Sequence, residues 1–73
     1  MTSEHPLITN RRALQIAITE QLELARGWRT QGAINQHGRA YCQMMEAQAN
    51  SEAGRLVNRM VAVQEQIEDF DLD

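Results

Sequence analysis

Apolar residues recur at helical spacing along most of this chain. At ~100° per residue, Ala13, Leu14, Ala17, Ile18, Gln21, Leu22, Leu24, Ala25 and Trp28 fall within one half of a helical cylinder, and Ile16 falls outside it. The spacing predicts a first helix from about residue 10 to about residue 30. Thr9 or Asn10 is the expected N-cap, because a short polar side chain accepts from the free N–H groups of the first turn. An apolar face covering half a helix is wider than one neighbouring helix needs.

The segment Gln31 to Asn35 is the expected break. Gly32 can end a helix without a Cβ penalty, and Asn35 can cap the next one. Gly27 and Gly38 weaken helix on either side. A second stripe then runs through Tyr41, Met45, Ala49, Ala53, Leu56, Met60, Val63, Ile67 and Phe70 in steps of three and four. From Ala49 onward the steps alternate as in a coiled-coil seam. They predict one long helix over about 35–70.

The expected fold is therefore all-α, an antiparallel helical hairpin. An alternative is a three-helix bundle with a break near Asn50–Ser51, since both residues are good N-caps and Gly54 is a poor helix-interior residue. The unbroken stripe favours one helix. Residues 1–9, which contain Pro6 and lack periodicity, read as a flexible lead-in, and residues 10–73 as a single helical domain.

Size changes the picture. A chain of 73 residues buries only ~60% of its unfolded surface, so small domains add disulfides, metals or oligomerisation. Cys42 is the single cysteine, and His5 and His37 are too few to build a zinc site with it. Oligomerisation or very regular helix packing remains. A first helix of about 20 residues would reach only to about residue 55 of the second, placing Glu52 near Arg11 or Arg12. Val63, Ile67 and Phe70 would then lie bare until a second copy, laid antiparallel, covered them. The expected core is Leu14, Ile18, Leu22, Leu56, Met60, Val63 and Ile67.

Charge divides along the chain. Residues 1–40 carry five arginines and three glutamates, and residues 41–73 carry two arginines and seven acids. Arg11 and Arg12 stand where the first helix is expected to begin. Glu65, Glu68, Asp69, Asp71 and Asp73 stand where the second ends. Both placements oppose the helix macrodipole. No apolar run reaches the ~18 residues of a membrane span, and the N-terminus lacks the pattern of a secretory signal. A lone thiol suits the reducing cytoplasm.

Candidate chemistry is sparse. The chain has no lysine, hence no phosphate loop ending in one. His37 and Cys42, five apart, do not share a helix face well. No enzyme activity, metal, cofactor or small-molecule substrate is expected. Arg11, Arg12, Arg26 and Arg29 lie on one side of the first helix and could meet phosphates or an acidic partner. Trp28, Tyr41, Met45, Leu56, Met60, Val63, Ile67 and Phe70 are the candidate partner or dimer interface, with Trp28 a possible anchor and the methionines adaptable packers. The expected function is a non-catalytic helical interaction module, a small regulator, adaptor or chaperone whose partner is itself or another helical protein. The alternative is a small nucleic-acid-binding regulator using the arginine face.

Overall fold

A computed structural model of the chain describes residues 4–35 and 37–72. Residues 1–3 of the expected lead-in, and Asp73, lie outside the described residues. Two helices pack against each other as a hairpin: α1 over Pro6–Ile34 and α2 over Arg39–Asp69.

Helix α1 starts four residues earlier than the spacing predicts. The N-cap is His5, whose Nδ1 accepts from the Leu7 N–H at 3.1 Å, instead of Thr9 or Asn10. Pro6 follows at the first helical position, where its fixed φ suits the helix and its missing N–H costs nothing. Leu7 and Ile8, placed in the lead-in by their lack of periodicity, pack against the core. Burial of these two side chains extends the helix toward the terminus.

Helix α1 also continues through Gly32 to Ile34. No glycine among the described residues has positive φ, so Gly32 does not act as a left-handed terminator. It is buried in the helix, and a Cβ there would lie 3.2 Å from the Cys42 Cβ. Its missing side chain serves close helix approach. The chain turns after it at Asn35, whose Oδ1 accepts from the His37 and Gly38 N–H groups at 3.2 and 3.3 Å.

Helix α2 runs unbroken through Asn50, Ser51 and Gly54, so the described residues form two helices and not three. It ends at Phe70, after which Asp71 adopts a left-handed conformation, φ 55°. The Leu72 N–H donates to the Ile67 carbonyl and the Asp71 N–H to the Glu68 carbonyl, both at 3.1 Å. Leu72 also packs against the core. This is a Schellman closure with its usual apolar contact, formed without glycine.

One seam joins the helices. On α1 it is Leu7, Arg11, Leu14, Ile18, Gln21, Ala25, Trp28 and Gly32. On α2 it is Cys42, Glu46, Ala49, Ala53, Leu56, Met60, Val63 and Ile67. Each of these residues is buried or half-buried, and each list advances in alternating steps of four and three. The contact of Gly32 with Cys42 sets the register. The buried positions of the loop half are small, Ala25, Gly32, Cys42, Ala49 and Ala53, with Trp28 and Glu46 half-buried beside them. The free-end half is large, centred on Leu14, Val63 and the fully buried Ile67.

This register corrects the expected overhang. Helix α1 has 29 residues against 31 in α2, so it covers the acidic end. Val63 and Ile67 are buried against α1 within one chain. Arg11 Nη1 donates to Gln64 Oε1 at 2.9 Å, and Arg12 pairs with Glu4 at 2.7 Å, so neither meets Glu52. Leu22, expected in the core, is 50% exposed, and Ile18, Leu56 and Met60 are half-buried at the seam's edges. The α2 seam enters through Cys42 and Glu46, one residue past the expected Tyr41 and Met45.

Candidate interaction surfaces

The hairpin measures 53 × 24 × 12 Å between Cα extremes, one helix thick. It therefore presents two broad faces. Positions seven apart lie on one side of a coiled-coil helix, which groups Gln15, Leu22 and Arg29 on α1. The same spacing groups Gln43, Asn50, Val57 and Gln64 on α2. The Arg11–Gln64 hydrogen bond and the pairing of Arg29 with Glu46 at 3.1 Å place both strips on the same face. A shallow groove lined by Gln15, Val61, Gln64, Glu65 and Glu68 extends that face at the free end.

The middle of this face is apolar. Leu22, Val57 and Val61 are all exposed. Gly54 lies between them and the loop end on α2, and a Cβ on it would meet nothing within 4 Å. Charge is segregated around the apolar centre. Between Ile8 and Arg29, α1 contributes Arg11, Arg12, Arg26 and Arg29 to this face and no acid. Between Cys42 and Glu68, α2 contributes Glu46, Glu65 and Glu68 and no base.

The opposite face carries Leu24, Tyr41 and Met45. A groove of about 560 Å³ runs along α1 there, lined by Glu20, Glu23, Leu24, Gly27, Trp28 and Gln31. Trp28 is half-buried and meets Tyr41 edge-on, with ring centroids 5.6 Å apart and an interplanar angle of 86°. The aromatic pair stands beside the groove, and Gly27 leaves it open.

The residues expected to form an interface are thus divided. Trp28, Tyr41 and Met45 lie together near the loop. Leu56 and Met60 line the seam, and Val63 and Ile67 are enclosed within it. Phe70 is 67% exposed at the far end, its ring 6.4 Å from that of His5. The four arginines of α1 are divided as well. Arg11 and Arg29 bond to α2, Arg12 to Glu4, and Arg26 makes no ion pair among the described residues. His37 lies in the exposed turn while Cys42 is buried in the seam, so the two do not meet as a reactive pair. The described residues contain no group of three metal-ligating side chains.

The Leu22, Gly54, Val57 and Val61 surface is not among the surfaces expected from sequence. Its signal is the seven-residue spacing beside the seam, visible only once the seam's register is known. Among the described residues no helix is long and apolar enough to cross a membrane. The chain matches no protein-family model, no curated protein and no solved structure at a significant level.

Proposed function

We propose that this chain is a non-catalytic helical interaction module, a regulator, adaptor or chaperone that acts by packing its faces against further helices. Its partner is a second helical layer, either another copy of the chain as a homodimer or a different helical protein. One observation carries this reading: the hairpin is a single layer with large apolar side chains on both faces. Stable domains bury apolar stripes between two packed layers. Here Ile16, Leu22, Leu24, Ile34, Val57 and Val61 are among the large apolar residues left exposed. Most are already about half covered, so burying the remainder contributes roughly 1 kcal/mol each, comparable in sum with the stability of a small domain. The buried thiol of Cys42 suits a reducing compartment, in keeping with a cytoplasmic module.

The test is affinity capture of the tagged full chain from cells, with untagged chain co-expressed. Stoichiometric recovery of the untagged copy or of one other protein is expected, lost on Leu22→Glu. A folded chain that retains neither contradicts the proposal.

A further inference from the structure

The exposed face centred on Leu22 repeats its own complement, and we infer that its occupant is a second copy of this chain, docked with both loops at the same end. This rests on the interaction role proposed above and names the partner.

A symmetric pair uses the same patch on both subunits. Two face-to-face arrangements are available. A two-fold axis across the hairpin lays α1 on the other copy's α1, and α2 on its α2. Arg12 would then come level with about residue 28 of the other α1, between its Arg26 and Arg29, and Glu46 with about residue 62 of the other α2, near its Glu65. Like charges across an interface are repulsive and select against a pairing. A two-fold axis along the hairpin lays each α1 on the other copy's α2. The basic strip then meets the acidic strip twice, once in each direction. Arg12 comes level with the Val61–Glu65 stretch, and Arg26 with Glu46. Charge complementarity therefore selects the second arrangement and replaces the opposed, antiparallel placement expected from the sequence.

The centre of the face fits the same operation. The Gly32–Cys42 register places Leu22 level with about residue 52 of α2. The long-axis two-fold therefore sets Leu22 of one copy within about two residues of the other's Gly54, ~3 Å along the helix. Gly54 is the one glycine within α2; a Cβ on it would meet nothing within 4 Å, so packing within its own chain does not require a glycine there. Leu22 has room to seat over it, with Val57 and Val61 beside it. A face about 53 by 24 Å exceeds the ~800 Å² per partner that a standard stable interface buries.

Sedimentation equilibrium of the full chain, with a spin-label distance, tests this. The wild type is expected at twice 8.3 kDa at micromolar concentration. Arg12→Glu with Arg26→Glu should raise the dimer dissociation constant at least tenfold. These sites are exposed, and unchanged helicity by circular dichroism confirms that the variant folds. Mixing it with a Glu46→Arg, Glu65→Arg, Glu68→Arg variant should restore dimers, because each reversed base then meets a reversed acid. A label at His37, in a Cys42→Ala background, should give an inter-copy distance well under half the 53 Å length of the hairpin. A distance near that full length, or charge variants that dimerise as tightly as wild type, overturns the arrangement. A wild type that stays monomeric overturns the second copy. If that monomer still captures another protein, the interaction role stands and this inference alone falls.

Discussion

Cys42 and Gly32 face each other across the loop end of the seam so closely that a Cβ on Gly32 would stand 3.2 Å from the Cys42 Cβ. That spacing is below ordinary van der Waals contact. It makes Gly32 a packing residue, in contrast to Gly27, whose Cβ would meet nothing within 4 Å. The two glycines of α1 should therefore respond oppositely to substitution. Gly27→Ala gains helix propensity without a clash and should raise stability by about 0.5–1 kcal/mol. Gly32→Val crowds Cys42 and should lower it by about 1–3 kcal/mol. Urea unfolding of both variants checks the pair, and equal effects would contradict the close approach.

The large half of the seam should dominate stability. Ile67 is fully buried among Leu14 and Val63, so Ile67→Ala should cost roughly 2–5 kcal/mol. Ile16 points away from the seam and is mostly exposed, so Ile16→Ala should fall within ~0.5 kcal/mol of zero. Comparable losses at the two sites would mean that the buried and outer faces of α1 are misassigned.

The end of α2 offers a stabilising change. Asp71 holds a left-handed backbone at a helix C-terminus, where a non-glycine residue is strained by ~1–2 kcal/mol and a negative charge opposes the dipole. Asp71→Gly should raise the thermal midpoint, with a gain of about 1 kcal/mol. Asp71→Val should lower it, because a β-branched residue tolerates that conformation least. The opposite order in calorimetry would rule out the closure through Leu72.

The helical class and the hairpin were legible because the 3.6-residue period survives in both stripes. The helix ends were not, because glycine and proline each have two uses. Gly32 reads locally as a terminator, yet its missing side chain is needed inside the seam. Pro6 reads as a breaker, yet it opens α1. Asn50, Ser51 and Gly54 carry break signals that seam packing overrides in α2. The shift from Tyr41 and Met45 to Cys42 and Glu46 has the same origin. Opposite Gly32 the close approach admits the Cys42 thiol, and Tyr41 stands at the rim against Trp28. Leu22 reads as a core residue because half of α1 is apolar. The structure assigns that width to two surfaces, one facing α2 and one facing out.

The central claim is that a one-layer hairpin completes its core with a second layer, and that the layer is another copy. Sedimentation equilibrium of the wild-type chain, read with its thermal melt over a hundredfold concentration range, tests it most directly. The expected result is a species of twice 8.3 kDa whose unfolding midpoint rises with concentration, because dimerisation stabilises the folded state by mass action. An 8.3 kDa monomer with a cooperative, concentration-independent melt would contradict it.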